Sequence, residues 1–318
     1  MIDAVRFPRK TATMAKSKNI ARVGVVDVGS NSVRLVVFDG LARSPAYFYN
    51  EKVLCGLGRG MADTGVLHPE GRERALAAIH RFAALARGMG IAGLTGVATA
   101  AVREASDGPD FVEQVRSETG LDLRVIDGKQ EAQLSAKGVL LGWPEAEGVV
   151  CDIGGSSMEL AQLQGGIIGA CETSELGPLK LADFHGDDTA LTEHIRRKVS
   201  ALLDAVPFPA GGQLFLVGGS WRALARIDML RREYPFKVLH EYTLTPTQMD
   251  ETIKWMRAQD LDALGQATST SAERLRLLPI ASRVLEELVA QAEPGLIAIS
   301  SYGLREGMLY EIMPASMR

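Results

Sequence analysis

Cysteine is scarce in this sequence: Cys55, Cys151 and Cys171 are the only three in 318 residues. Three scattered thiols exclude a disulfide framework and a cysteine-built metal cluster, and they point to a reducing, cytoplasmic compartment. Cys151, inside the run Val149-Val150-Cys151, reads as a small core residue. Long apolar runs are missing too. Nothing approaches the ~18–20 residues that a membrane span needs. An excess of positive charge is also lacking, since the formal net charge is −4. That argues against a bulk-basic nucleic-acid binder, so a polyanionic ligand must meet a local positive site. Residues 1–20 are basic without the apolar core of a secretory signal, and they read as a flexible tail. No low-complexity linker interrupts the chain.

What is present suits a globular enzyme. Hydrophobic residues make up 46% and charged residues 23%, and the length suggests two domains. Strand-like stretches over 22–28, 33–38 and 46–54 are short, Val-rich and bounded by turn residues. A helix is expected over 69–90, where Ala75, Ile79, Phe82, Leu85 and Ala86 share a face. Further helices are expected around 189–205, 221–233, 246–258 and 271–292, with Gly120 ending another. Strands and helices alternate, so the class is α/β.

One pattern occurs twice. "VGVVDVGSNSVRLVVF" and "GVVCDIGGSSMELAQL" are each an apolar strand, an Asp-x-Gly turn with small hydroxyls, and a second strand. Two such hairpins about half a chain apart suggest two related domains facing each other. The expected division is a tail over 1–20, a first domain over 21–134 and a second over 135–318, with the final helix packing back.

The turns carry chemistry. Glycine lets the backbone approach a ligand, and a turn lined by amides makes a concave anion site. Phosphate is the expected guest of Asp27, Gly29, Ser30, Asn31 and Ser32, and of Gly154, Gly155, Ser156 and Ser157. Asp27 and Asp152 would repel phosphate unless a divalent cation sits between, and Mg²⁺ favours one or two carboxylates plus phosphate oxygens. Gly218, Gly219 and Ser220 form a third strand-to-helix junction suited to an anion. There Arg222 could reach a phosphate, or Ser220 could simply cap the helix. Arg103 offers a bidentate fork. Glu131 opens a helix after Asp127-Gly128 and Glu159 follows the second turn. A carboxylate crowded by phosphate charge gains basicity. Taken alone, Glu131 could equally be an acid placed for the helix dipole.

At these residues the chain resembles the exopolyphosphatase/guanosine pentaphosphate phosphohydrolase (Ppx/GppA) family of the actin-like ATPase superfamily. The likeness rests on "VVDVGSNSVRLVV", "ATAAVREA", "VIDGKQEAQLSAKGV", "GVVCDIGGSSMEL", "SELGPLKL" and "SSYGLREGMLYE", in order over about residues 22–312. It implies two actin-like, ribonuclease H-like lobes around an interdomain cleft, as a short form without C-terminal helical domains. It implies release of terminal phosphate from polyphosphate or guanosine pentaphosphate. Glu131 would be the base, Glu159 a second acid, Arg103 a hold on the phosphate chain, and Asp152 with Glu159 the Mg²⁺ site. No nucleic-acid or membrane partner is expected, and a homodimer is left open. A non-catalytic alarmone-binding regulator and a sugar-kinase-like phosphotransferase are the other readings. Three departures from the family pattern stand out. Gln130 replaces an acid, Met158 replaces a hydroxyl residue, and Trp221 could crowd or stack on a nucleotide base.

Overall fold

The computed structural model describes residues 22–318 apart from Ala92, so the basic tail over 1–20 lies outside the described residues. Two mixed sheets form the framework. The first holds β1 (Val23–Val28), β2 (Ser32–Phe38), β3 (Tyr47–Leu54), β4 (Gly93–Ala98) and β5 (Leu123–Val125), in the order β3-β2-β1-β4-β5. Its helices are α1 (Met61–Thr64), α2 (Pro69–Gly88), α3 (Ala100–Glu104) and α4 (Gly108–Thr119). After α5 (Gly128–Gly142) comes the second sheet. It comprises β6 (Gly148–Ile153), β7 (Met158–Gln164), β8 (Ile167–Ser174), β9 (Gln213–Gly218), β10 (Tyr242–Leu244) and β11 (Leu296–Ser300), in the order β10-β11-β9-β6-β7-β8. Between and after these strands run α6 (Pro178–Ala182), α7 (Asp188–Ala205), α8 (Gly219–Arg231), α9 (Pro246–Arg257), α10 (Leu261–Thr268), α11 (Ala272–Ala292) and α12 (Leu304–Ile312). No helix among the described residues is long and apolar enough to cross a membrane.

The repeated hairpin becomes a repeated topology. In each sheet an antiparallel three-strand meander continues into parallel strands: β3-β2-β1-β4-β5 matches β8-β7-β6-β9-β11, and β10 is added antiparallel at the edge. Parallel neighbours need helical crossovers, which explains the alternation of elements along the chain. Local chemistry sets the ends. His68 caps α2 by accepting from the Gly71 amide at 3.2 Å, and Gly120 ends α4 with φ 75°. The face expected of α2 is the one that packs inward: Ala75, Ile79, Phe82 and Ala86 are buried.

The helices α5 and α12 join the two sheets. α5 follows the first sheet in sequence, yet Ala132, Ala136, Val139 and Leu140 pack with Val150, Ala161 and Phe215 of the second. α12 follows the second sheet, yet Leu304, Met308 and Leu309 pack with Val25, Val36 and Val97 of the first. The expected 134/135 boundary falls inside α5. Where the helices cross, backbone meets backbone. A Cβ built on Gly307 would lie 1.8 Å from the Leu134 carbonyl oxygen, and one on Gly138 would lie 2.2 Å from the Gly303 oxygen.

A methyl group at Gly307 must therefore push two helices apart. Gly307→Ala should lower stability by about 1–3 kcal/mol, the range of core overpacking. Gly88→Ala, at the end of α2 with nothing within 4 Å of the added carbon, should be neutral or stabilising by up to about 1 kcal/mol. Thermal unfolding of the two variants side by side measures this; equal midpoints would refute the crossing as a close backbone contact.

Candidate active site

The two Asp-x-Gly turns face one cleft and share one geometry. In the first, between β1 and β2, the Gly29 amide donates to the Ser32 carbonyl at 3.0 Å; in the second, between β6 and β7, Gly154 donates to Ser157 at 2.9 Å. Each turn is braced from behind, by Gly58 N–H to the Ser30 oxygen at 2.9 Å and by Leu179 N–H to the Gly155 oxygen at 2.8 Å. Among the described residues no backbone hydrogen bond occupies the amides of Ser30, Asn31, Gly155 or Ser156. Those donors are the anion-binding groups of such a turn.

The register sharpens the comparison. Asp27 lies opposite Arg34 across β1 and β2, and Asp152 lies opposite Glu159 across β6 and β7. Equivalent positions thus carry a cation in one lobe and a second acid in the other. The third junction completes the floor. Gly218 has φ 118°, and a Cβ there would lie 2.6 Å from the Ile153 oxygen, so only glycine suits the bend. The helix α8 starts straight after it. Its cap is Gly218, with no side-chain cap bond, which corrects the reading of Ser220 as the cap.

The cleft has a volume of about 240 Å³, and all members of the first turn, Gly154 to Ser157, Gly218 to Ser220, Glu131 and Asp152 line it. Glu159 sits behind this wall. It is 1% exposed, and its Oε1 accepts from the Thr173 hydroxyl at 2.9 Å. Arg103 donates to the Ile126 carbonyl at 2.9 Å and to Glu104 at 3.2 Å; it lines a neighbouring cavity that meets the cleft at Ser156 and Ser157, and its charge works against the upward shifts of Glu131 and Glu159.

The acids are crowded. Asp152 accepts from the Ser135 hydroxyl, and Oε2 of Glu131 and Oε2 of Glu159 are buried without a partner. Burial first, and then the Glu159, Asp152 and Asp27 charges, hold Glu131 well above the usual carboxylate range. Burial raises Asp152 against the pull of Ser135. Burial and Asp152 push Glu159 up to about 8. Facing them are Arg34, Lys52, Arg222, Arg274 and Arg305. Burial, and next a neighbouring arginine, lowers Arg34, Lys52 and Arg274. Burial followed by Arg305 and Arg274 brings Arg222 to about 10. Cations that depress one another mark a site that gains by taking up an anion.

Of these cations, the sequence singled out only Arg222. Arg305 stands in the "SSYGLREGMLYE" stretch, which was its signal, and its Nη1 lies 2.7 Å from Asp27. Lys52 and Arg274 carried no signal. The three departures are structural. Gln130 accepts from the Asp127 amide at 3.0 Å while Asp127 accepts from the Gln130 amide at 2.8 Å. That capping box works with an amide as well as with an acid. Met158 and Trp221 are each 0% exposed in the second-lobe core. Trp221 therefore neither crowds nor stacks on a cleft ligand, contrary to the sequence-based expectation.

A divalent cation suits this acidic corner. Among the described residues no group of three or more His, Cys, Asp or Glu is arranged to hold a metal by itself. Mg²⁺ asks for less, one or two carboxylates completed by water and phosphate oxygens. The Oε2 atoms of Glu131 and Glu159 are buried without a hydrogen-bond partner, which leaves carboxylate oxygens there for a cation.

The Glu159 shift has a consequence for stability. Between its ordinary 4.5 and about 8 the folded protein keeps a proton that the unfolded chain has lost. The stability tied to that proton is complete below the lower value and is lost as pH rises through the upper. In metal-free protein, Glu159→Gln should shrink the fall in unfolding temperature between pH 5 and pH 8. An unchanged fall would contradict the burial of Glu159 beside Asp152.

Known proteins resemble this chain in sequence and in fold. The exopolyphosphatase 1 of Mycobacterium tuberculosis is 34% identical over 143 residues, 44% of this chain and 42% of that enzyme. The guanosine-5'-triphosphate,3'-diphosphate pyrophosphatase of Vibrio atlanticus is 25% identical over 297 residues, 91% of this chain and 58% of that one. The matches thus span less than two thirds of both relatives. A crystal structure of an exopolyphosphatase from Cytophaga hutchinsonii superposes with a TM-score of 0.80 at 25% identity, covering 92% of this chain and 97% of that one. The sequence model of the Ppx/GppA phosphatase family matches residues 22–316, and the chain belongs to that family.

Proposed function

We propose that the cleft hydrolyses the terminal phosphoanhydride bond of a phosphate chain. The observation that carries this reading is Glu131: a buried carboxylate with an unpartnered oxygen, lining a cleft between two glycine turns and held basic by its surroundings. The terminal phosphoryl group rests on the turn amides, and the remaining phosphates run along the five cations. Glu131 orients a water in line with the scissile bond and takes its proton. The water oxygen bonds to phosphorus, and the bridging oxygen leaves with the bonding electron pair. Asp152, with Glu159 opposite it, would hold Mg²⁺, which when bound offsets charge on the phosphate oxygens. Arg305 and Arg222 stabilise the charge that builds up as the bond breaks.

The lining also bears on substrate choice. No aromatic side chain is among the residues lining the cleft, so a base finds no stacking surface. Five cations favour charge over base recognition. We place inorganic polyphosphate ahead of guanosine pentaphosphate on this ground, and the relatives' names support both as a class.

Two outcomes are expected in steady-state assays of phosphate release with Mg²⁺. kcat/KM for polyphosphate exceeds that for guanosine pentaphosphate, and the reverse order would overturn the preference. Glu131→Gln loses a factor of ~10²–10⁴ in kcat, the usual cost of removing a general base, while tripolyphosphate binds as tightly as before or more so. A variant retaining most of the rate would remove Glu131 from the chemistry.

A further inference from the structure

The face of α5 that carries Glu131 carries a second polar side chain. Ser135 is four residues further on, about one helical turn away on the same side. It is 0% exposed, and its neighbours along the helix, Ala132 and Ala136, are alanines packed into the core. An alanine would fill this place as well, so the hydroxyl is what serine adds. A serine inside a helix can return its hydroxyl to the carbonyl four residues back. Ser135 instead donates to Oδ2 of Asp152, at the end of β6 in the second sheet.

The aspartates of the two matched hairpins are therefore held by different means. Oδ2 of Asp27 accepts from Arg305 at 2.7 Å, so the group that orients it also offsets its charge. Among the described residues the hydrogen bond to Asp152 comes from Ser135 alone, and no arginine or lysine is bonded to it. Arg222 and Arg305 act on it only from a distance. The last torsion of an aspartate is broad. A neutral hydroxyl narrows it and leaves the charge in place. With Oδ2 anchored, Oδ1 lies over the Gly218 bend, where a built Cβ would come within 3.2 Å of it. The absence of a side chain at Gly218 keeps that oxygen open toward the cleft, which both residues line.

We infer that Ser135 is a positioning residue, which turns Asp152 so that Oδ1 faces the cleft as a ready ligand for a divalent cation and sets that ligand at a fixed step from Glu131. One helix thus carries the base and holds the aspartate. This role deepens the hydrolase reading and rests on it for the effect on rate, whereas cation binding is measured without substrate.

Mn²⁺, which shares the oxygen-ligand preference of Mg²⁺, is titrated calorimetrically into substrate-free protein. Wild type should bind it, and Ser135→Ala and Ser135→Cys should bind it about tenfold or more weakly, the range for losing a group that orients a metal ligand. The thiol fills the space of the hydroxyl but donates weakly, so it separates orientation from packing. Ser282→Ala is the control. That hydroxyl is also 0% exposed, but it donates to the Pro279 carbonyl within α11 at 2.8 Å, and its loss should leave Mn²⁺ affinity unchanged. Wild-type protein that binds no Mn²⁺, Ser135 variants that bind as tightly as wild type, or an equal loss in Ser282→Ala overturns the inference. In steady-state hydrolysis of tripolyphosphate, Ser135→Ala should need about tenfold more Mg²⁺ for half its maximal rate, with kcat at saturating Mg²⁺ close to that of wild type. An unchanged Mg²⁺ requirement would also overturn it. Wild-type protein that binds Mn²⁺ but releases no phosphate would defeat the hydrolase reading alone, and the titrations would still decide the role of Ser135.

Discussion

The ion pair between Arg305 and Asp27 fixes the relation of everything else in the cleft. Its partners are 278 residues apart in sequence and 2.7 Å apart in space. Asp27 is the last residue but one of the strand that leads into the first glycine turn; Arg305 lies in the first turn of the helix that packs back from the second lobe. The next residue, Glu306, is 1% exposed. It accepts from the Tyr47 hydroxyl at 2.9 Å and from the Gly303 amide at 2.8 Å. Burial works against the Arg305 charge, but Asp27 and Glu306 overcome it and its pKa is raised. A permanent cation is thereby held at the mouth of the first turn.

The two hairpins show how one architecture divides labour. Their turns match bond for bond, yet the residue opposite the aspartate is Arg34 in one and Glu159 in the other. The exchange puts a cation beside the first turn and a second acid behind the other. The remaining cations come from both halves of the chain: Lys52 from β3, and Arg222, Arg274 and Arg305 from α8, α11 and α12.

How much of this could be read from the sequence depends on distance along the chain. The hairpins, the α/β alternation and the place of Glu131 were legible because turn, cap and strand patterns are local. Asp127 and Gln130 announce the helix that carries Glu131 within four residues of it. β8 was missed, although the Gly165-Gly166 pair before it, with φ 55° and 81°, is the signal of a tight hairpin. Lys52 and Arg274 were not legible, since a cation on a strand or at a helix start looks like any solvated surface residue. Only the closing of two lobes brings them together. Trp221 misled for the opposite reason. Its place in a glycine junction suggested a ligand contact, but the side chain at that turn of α8 faces the core rather than the cleft.

The crossing of α5 and α12 bears on how the lobes can move. Among the described residues the chain passes between the sheets only along these helices, which touch at Gly307 and the Leu134 carbonyl, pack Leu134 and Leu141 of one among Leu304, Met308 and Leu309 of the other, and pair Lys137 with Glu311 at 2.7 Å. Such a joint is closed by side chains and an ion pair as well as by backbone, so parting the lobes there would break all three. Glu131 and Arg305 ride on the two helices so joined, and the Asn31–Glu273 bond at 2.8 Å ties the lobes again across the cleft.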